Sequence, residues 1–308
     1  MKKKIRIGTR ESDLSIAQTM LAVEGMKKHY PDLEYEIVLK STLGDRLIDQ
    51  PLVNFGGKGV FVSELEQGIL QGEIDFAVHS AKDLPMDLAE GLEIVSVLPR
   101  GDVRDVLVSL SESPAWEEGE GEIRIGTSSL RRKIQMEELG KKLWPGRQVV
   151  CENLRGSVIT RLNKLDQGQF DGIILAAAGL ERLNIPEVRK GRYRCRYFTP
   201  EEMIPAGGQG ILAIEGRPQD PCSQIARAAC DEEAMRQMKS ERLLLRLLSA
   251  GCHQPVGVYC QTNAAGGLFL CGIYEQDGIV RRAAVSSGEF DEPEQRLAAL
   301  LRGNEVEG

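Results

Sequence analysis

The feature that most constrains this fold is a short segment that occurs twice in the chain. IRIGTRES begins at Ile5, and IRIGTSSLRR begins at Ile123. Each predicts a buried strand that runs into a Gly-Thr turn and then a helix with serine at its start. A second pair follows in the same order, GEIDFAVHSAKDL from Gly72 and GQFDGIILAAAGL from Gly168. Duplication of one α/β unit explains this paired order, and chance recurrence of a common strand-to-turn string is the alternative.

The alternation of strands and helical segments predicts parallel α/β sheets in two similar lobes. Ligands of such sheets bind at the carboxyl ends of the strands, so a cleft lined by the repeated turns is expected between the lobes. A long helix over DEEAMRQMKSERLLLRLLSAG, with Gly251 as its stop, and antiparallel strands beyond it predict a small C-terminal α+β domain. The expected domains are residues 1–100 with 202–220, residues 104–198, and residues 222–308.

The composition argues against several classes of function. The net charge of −7 disfavours non-specific nucleic-acid binding, which needs a basic face. No apolar run approaches the roughly 20 residues that cross a bilayer, and MKKKIRIGTRES lacks the apolar core of a secretory signal. The seven cysteines form no C-x-x-C pair and the three histidines are far apart, which favours reduced cytoplasmic thiols and no metal site.

Arginines on and near the repeated turns predict an anion-binding site. They are Arg6, Arg10, Arg131, Arg132, Arg155 and Arg161. Thr127, Ser128 and Ser129 precede two of them at a helix start, where free backbone N–H groups favour an anion. Because a guanidinium binds a carboxylate in a bidentate way, several around one cleft imply a ligand with several carboxylates or phosphates. For any single arginine, an ion pair with a surface Asp or Glu is the alternative.

Two loops carry further candidates. In VHSAKDLP the strand ends at His79, and Asp83 then lies in a loop with Ser80 and Lys82. A carboxylate there, among arginines, can accept N–H bonds and stabilise developing positive charge, although a turn cap is the commoner role of Asp in a loop. GGKG, with Lys58, lacks the spacing of a nucleotide-binding P-loop. It is equally consistent with a loop that closes over an anionic ligand and with a plain loop.

The segment AGCHQPVG places Cys252 on a turn after the long helix. An exposed thiol on a loop can form a covalent bond, whereas most cysteines are inert packing residues. The residue pattern alone does not distinguish Cys252 from Cys222 in this respect.

Taken together, the motifs resemble the hydroxymethylbilane synthase (porphobilinogen deaminase) family. VHSAKDLP, GTSSLRR, LRGSVITR, PAGGQG and GCHQPVG occur in that family's order between residues 5 and 257. The resemblance implies a three-domain transferase with two lobes like those of periplasmic binding proteins. It implies head-to-tail condensation of four porphobilinogen molecules into hydroxymethylbilane, with release of ammonia. It further implies a cytoplasmic, monomeric protein with a dipyrromethane cofactor joined to Cys252 by a thioether.

The resemblance also implies roles for individual residues. Asp83 is expected to stabilise the positive charge that develops on a pyrrole nitrogen. Contacts to the cofactor are expected from Ser80, Lys82, Asp83, Thr127, Ser128, Ser129, Arg131, Arg132, Arg155 and Cys252. Contacts to the substrate are expected from Arg10, Ser12, Arg155, Arg161 and Arg182 and, in the glycine-rich loop, from Lys58.

A few positions depart from the family pattern. Asn54 replaces a lysine, Ala81 replaces a methionine, and His253-Gln254 replaces Gln-Val after the cysteine. These changes affect details of cofactor contacts and loop packing and remove no group that the mechanism requires. The alternative function is a two-lobed binding or sensing protein for a small carboxylate or oxyanion, which would not need Cys252.

Overall fold

A computed structural model of the chain describes residues 4–41, 62–111, 121–185, 188, 190–250, 254–264, 266–287 and 292–304. Its strands are β1 (Ile5–Arg10), β2 (Tyr35–Lys40), β3 (Phe76–Ser80), β4 (Glu93–Val97), β5 (Asp105–Leu110), β6 (Glu122–Gly126), β7 (Gln148–Glu152), β8 (Gly172–Ala176), β9 (Tyr193–Tyr197), β10 (Leu212–Gly216), β11 (Val256–Thr262), β12 (Leu268–Gln276) and β13 (Ile279–Ser286). Its helices are α1 (Asp13–Lys27), α2 (Ser63–Leu70), α3 (Leu130–Leu143), α4 (Val158–Asp166), α5 (Ala177–Leu183), α6 (Pro221–Arg227), α7 (Glu232–Leu247) and α8 (Pro293–Arg302).

The first sheet has the strand order β2-β1-β3-β10-β4. β1 pairs in parallel with β2 and β3, whereas β10 runs antiparallel to both β3 and β4. The strands contribute Ile5, Ile7, Phe76 and Ile214 to a core that also includes apolar residues of α1 and α6. Removal of these side chains from water is the main favourable term that holds the helices on this sheet.

The second sheet repeats this arrangement with the order β7-β6-β8-β5-β9. β6 is parallel to β7 and β8, and β5 is antiparallel to β8 and β9. The α/β class and the two similar lobes are therefore confirmed, but the expectation of all-parallel sheets was wrong. Each sheet is mixed because one strand, β10 or β5, enters it after the chain has crossed over from the other sheet.

Side-chain contacts repeat along with the strand order. In the first sheet the Arg6 backbone N–H donates to Asp75 Oδ2 at 2.8 Å, and the Asp75 N–H donates to the Arg6 carbonyl oxygen at 2.8 Å. Arg124 and Asp171 make the same two bonds in the second sheet, at 2.8 and 2.9 Å. Equivalent contacts in equivalent strands favour duplication over chance. They also make Arg6 the partner of a buried structural carboxylate, as the ion-pair alternative for that residue predicted.

The C-terminal residues form an antiparallel sheet with the order β11-β12-β13, covered by α7 and α8. The predicted long helix and antiparallel strands are both present. Asp231 caps α7 by accepting a hydrogen bond from the Ala234 N–H at 2.8 Å. The helix ends at Leu247, ahead of the predicted stop, and Ser249 adopts a left-handed φ of 53°. Gly251 lies outside the described residues.

The three sheets take their strands from residues 5–97 with 212–216, from residues 105–197, and from residues 256–286. The domain boundaries given by the sequence remain predictions, which limited proteolysis would test. None of the helices in the described part of the chain is long and apolar enough to span a membrane.

Candidate active site

The segment that carries Asp83 follows directly on β3. A single 3₁₀ turn spans Ala81–Asp83, with the side chain of Ala81 buried and that of Asp83 exposed. Two hydrogen bonds hold the start of the turn: Gln18 Nε2 of α1 donates to Ser80 Oγ at 3.0 Å, and the Ala81 N–H donates to the Ile211 carbonyl oxygen at 3.0 Å. The backbone is therefore fixed while the Asp83 carboxylate remains accessible to a ligand.

Ala81, where the family pattern has methionine, packs tightly against the glycine-rich turn before β10. Gly208 has a φ of 76°, and a Cβ built on it would lie 3.0 Å from Cβ of Ala81. Any side chain at Gly208 would thus be strained both by its backbone conformation and by this contact. The effect of alanine in place of methionine at residue 81 stays a prediction.

Lys82 points toward the same turn. Its Nζ lies 3.5 Å from Oε1 of Gln209, and the side chain is half-buried. Burial lowers the pKa of the Lys82 ammonium to about 8, with Arg132 and Arg131 lowering it further and Asp83 and Asp105 opposing them. A lysine in this state is a cation at neutral pH but loses its charge readily.

This lowered pKa gives a testable prediction. Because Lys82 is half deprotonated at about pH 8, its attraction for a carboxylate should fade as the pH rises through that value. We expect ¹³C-dimethyl-lysine NMR of the cofactor-free protein to show one resonance that titrates near pH 8 and is absent from Lys82→Arg. A Lys82 midpoint near 10.5, the ordinary lysine value, would contradict the burial of its ammonium.

Arg131 and Arg132 converge on Asp105, the first residue of β5. Arg131 Nη1 donates to Asp105 Oδ2 at 2.6 Å and to the Ile204 carbonyl oxygen at 2.7 Å. Arg132 donates to Asp105 Oδ1 from Nη2 at 2.7 Å and from Nε at 3.1 Å. All three side chains are buried. Burial raises the pKa of the Asp105 carboxyl, but the two guanidinium groups lower it more and hold it well below its usual range.

Gln209 connects this ion cluster to the Asp83 segment. Its Nε2 donates to Asp105 Oδ1 at 3.1 Å and to the Val103 carbonyl oxygen at 2.7 Å, while its Oε1 faces Lys82. The two donor bonds fix the orientation of the amide, so that its oxygen is presented to the ammonium. Lys82 of the first lobe and Asp105 of the second are thereby joined through one buried side chain.

Arg161 on α4 brings the second lobe to the same place. Its Nε donates to the Gly156 carbonyl oxygen at 2.7 Å. Burial lowers the pKa of the Arg161 guanidinium to about 10, Arg132 and Arg155 lower it further, and Asp83 raises it. These mutual effects mean that an exposed carboxylate of one lobe lies within electrostatic reach of cations from both lobes.

Comparison with known proteins gives the family. The family model described as "Porphobilinogen deaminase, dipyromethane cofactor binding domain" matches residues 5–224. The porphobilinogen deaminase of Acetivibrio thermocellus is 41% identical over 260 residues, which cover 83% of this chain and 82% of that protein. The porphobilinogen deaminase of Ruminiclostridium josui is 38% identical over 288 residues, 92% of each chain. The chain belongs to the porphobilinogen deaminase family.

Membership confirms the enzyme class, its place in tetrapyrrole biosynthesis and the use of a dipyrromethane cofactor, and it overturns the alternative of a binding or sensing protein. A solved structure of the BenM effector-binding domain with its effector benzoate covers 77% of this chain and 91% of its own. Its identity is 12% and its TM-score is 0.42, which is too distant to bear on function.

The observed charges fit the deaminase cofactor. Both Lys82 and Arg161 have lowered pKa values, because each is largely withdrawn from water and lies near other cations. A group with several carboxylates would compensate this local excess of positive charge. Among the residues expected to hold it, the structure brings together Lys82, Asp83, Arg131, Arg132, Arg155 and Arg161.

The remaining candidate residues have structural contacts of their own. Ser129 caps α3 by accepting from the Arg132 N–H at 3.4 Å, Thr127 Oγ1 accepts from the Ser129 N–H at 3.2 Å, and Ser128 Oγ donates to the Leu154 carbonyl oxygen at 2.9 Å. Ser12 likewise caps α1, accepting from the Ser15 N–H at 3.2 Å. Their assistance to a ligand stays a prediction.

Two further arginines were expected to bind the substrate. Arg182 Nη2 donates to the Gly210 carbonyl oxygen at 2.5 Å, on the crossover into β10. Burial lowers the pKa of its guanidinium to about 10, with Glu181 opposing. Arg10, half-buried, is the last residue of β1. Their contacts to substrate stay predictions, and Lys58, Cys252, Asn54 and His253 lie outside the described residues.

Sequence reasoning missed Asp105 and gave Gln209 no role. Asp105 opens an apolar strand, DVLVSL, where a carboxylate at the first position needs a cationic partner once buried. That pattern signals a buried ion pair, although it does not say with which arginine.

Proposed function

We propose that this enzyme condenses four porphobilinogen molecules head to tail into hydroxymethylbilane, with Asp83 as its catalytic carboxylate and Cys252 as the attachment point of the cofactor. One observation carries the assignment of Asp83. Its exposed carboxylate lies at the carboxyl end of β3, within electrostatic reach of Lys82 and of Arg161 from the opposite lobe.

The cations of the site hold and orient the reactants. Porphobilinogen bears acetate and propionate groups, so the lengthening product gains carboxylates with every addition. Arg155 and Arg161 of the second lobe and Lys82 of the first are the groups that pair with them. Binding through the non-reacting carboxylates positions the aminomethyl carbon without changing its chemistry.

Asp83 acts on the charge that develops during the reaction. The protonated aminomethyl group of porphobilinogen leaves as ammonia, and its C–N bonding pair departs with the nitrogen. The cation that remains carries its charge over the pyrrole ring and nitrogen, where the Asp83 carboxylate accepts the pyrrole N–H and stabilises it. When bound, the dipyrromethane supplies the carbon nucleophile. Asp83 then receives the proton that the α-carbon of the attacking pyrrole ring loses as that ring regains aromaticity.

The reaction itself is tested by stoichiometry. Purified protein incubated with porphobilinogen should release one ammonia for each porphobilinogen consumed and form one hydroxymethylbilane for every four. Ammonia release without bilane would indicate that the protein cleaves the C–N bond but does not couple the rings. Binding of porphobilinogen without any ammonia would sink the proposal.

Arg155→Gln is expected to impair elongation or cofactor assembly, because one charged hydrogen-bond donor to a carboxylate is lost. At roughly 1.5–3 kcal/mol per such bond, kcat/KM should fall about 10- to 100-fold. Turnover and the mass of the intact protein measure the two effects separately. Arg147→Gln is the matched control. Arg147 follows the C-terminal end of α3, whereas Arg131 and Arg132 of the site lie at the N-terminal end of that helix, and it donates to the Gly121 carbonyl oxygen. Unchanged kinetics with full cofactor content in Arg155→Gln would remove Arg155 from the site.

We also infer a cytoplasmic monomer that binds neither nucleic acid nor membranes. The net charge of −7 and the scattered cysteines support this assignment. Light scattering coupled to size-exclusion chromatography tests the oligomeric state. A mass near 34.0 kDa is expected, and a multiple of it would contradict the monomer.

A further inference from the structure

One face of α7 lies beside the segment that carries Asp83. Ala234, Met238, Arg242 and Arg246 lie four residues apart, so they project from the same side of the helix. Ala234 and Met238 belong to the same buried cluster as Ala81 and Leu84, and Arg242 and Arg246 bind residues 85–87 directly.

The first half of the contact is apolar. Ala81 and Leu84, on either side of Lys82 and Asp83, belong to one buried cluster with Ala234 and Met238. Leu84 is 1% exposed and Met238 is 2% exposed. Removal of these side chains from water stabilises the contact. The turn before and after Asp83 is therefore packed on the first half of α7.

The second half of the contact is polar. Arg242 Nη2 donates to the Pro85 carbonyl oxygen at 2.6 Å and to the Met86 carbonyl oxygen at 2.8 Å. The Met86 side chain packs against the core of the C-terminal sheet. Arg246 Nη2 also donates to the Met86 carbonyl oxygen at 3.1 Å and to Asp87 Oδ1 at 3.0 Å. Its side chain is 62% exposed, so these two bonds contribute little to the stability of the contact.

We propose that Arg242 is a positioning residue of the deaminase reaction, which holds the chain on the C-terminal side of Asp83 and so sets where the catalytic carboxylate stands. The inference rests on the role proposed for Asp83. β3 restrains the segment on one side, and Arg242 restrains it on the other through two adjacent carbonyl groups. Loss of both bonds leaves only the packing of Leu84 and Met86 and the exposed bonds of Arg246 on this side of Asp83, so the carboxylate can shift relative to the cations of the second lobe.

The test is Arg242→Gln in the holoenzyme. Asp83 acts on charge that is present only as ammonia leaves, so its displacement should lower kcat about tenfold and change KM less than twofold. The substrate carboxylates are held by other residues, and the intact mass should show full cofactor content. Arg242→Lys should recover kcat to within about threefold of the parent, because an ammonium also offers several donors for the two carbonyl groups.

Arg236→Gln is the matched control. Arg236 lies on the same helix and also donates to a carbonyl oxygen, that of Gly266, at 2.8 Å, but on a different face. It should leave kcat unchanged. Equal kcat in Arg242→Gln and Arg236→Gln, with both proteins folded, would overturn the positioning role. If Arg242→Gln does not fold, Arg242→Met replaces it in the test, because methionine keeps much of the apolar stem but donates no hydrogen bond to the Pro85 and Met86 carbonyl oxygens; a parental kcat in that folded variant would overturn the role as well. Asp83→Asn, assayed in parallel, separates the two claims: parental turnover in that variant would instead refute the role of Asp83.

Discussion

Asp83→Asn is expected to abolish bilane formation, with kcat lowered at least about a hundredfold. Asparagine keeps the shape of the side chain and one acceptor oxygen but removes the negative charge that stabilises the pyrrole cation. Because Asp83 is exposed, the free energy of unfolding should change by no more than about 0.5 kcal/mol. Single-turnover measurement of ammonia release, together with urea unfolding, separates the two effects.

The control for this variant is Asp32→Asn, which removes an exposed carboxylate from the turn between α1 and β2. It alters the net charge of the protein by the same amount and should leave kcat unchanged. Near-parental turnover in Asp83→Asn would show that the deaminase reaction needs no carboxylate at this position.

Asp105→Asn is expected to cause the largest loss of stability, about 3–5 kcal/mol. Its carboxylate accepts hydrogen bonds from Arg131, Arg132 and Gln209, all buried. Removing its charge leaves two guanidinium groups in a low-dielectric environment without compensation. Urea unfolding at pH 7 measures the change. Asp102→Asn is the control, because its partner Arg104 is 42% exposed and the pair should be worth less than about 1 kcal/mol.

The same carboxylate predicts a pH dependence of stability. The pKa of Asp105 is lower in the folded protein than in the unfolded chain, where it is about 3.9. Its contribution is therefore fully present above about pH 4 and is lost as the pH falls below that value toward the folded-state pKa. The parent protein should lose more stability between pH 5 and pH 3 than Asp105→Asn does. Parallel curves for the two proteins would mean that folding does not lower the pKa of Asp105.

Much of the fold could be predicted because the two lobes repeat both strand sequence and order. The segments IRIGTRES and IRIGTSSLRR contain β1 and β6. The second repeated pair, which begins at Gly72 and Gly168, contains β3 and β8. Strand direction could not be predicted in the same way. β10 pairs with β3 and β4, which lie far earlier in the chain, and apolar periodicity is the same for parallel and antiparallel neighbours.

Part of the site could be predicted from the position of one loop relative to its strand. The loop after His79 follows a buried strand, so Asp83 had to lie at its carboxyl end. The partner of Arg131 and Arg132 depended on tertiary structure, because Asp105 is the first residue of β5, whereas both arginines lie on α3. Arg6 was also predicted to belong to the anion site because it lies near a repeated turn, but it binds Asp75. The charge and chain position of an arginine make it a candidate for ligand binding. If a carboxylate of the folded protein lies beside it, the arginine forms an ion pair with that carboxylate instead.

Cys252 is proposed to carry the cofactor that the reaction extends. The most direct test is the mass of the intact, denatured protein, followed by peptide mapping across Cys252. The prediction is an added mass equal to one dipyrromethane unit on that residue. If the purified protein lacks it, incubation of the apo-protein with porphobilinogen should restore it. No adduct on Cys252 after that incubation would contradict the account.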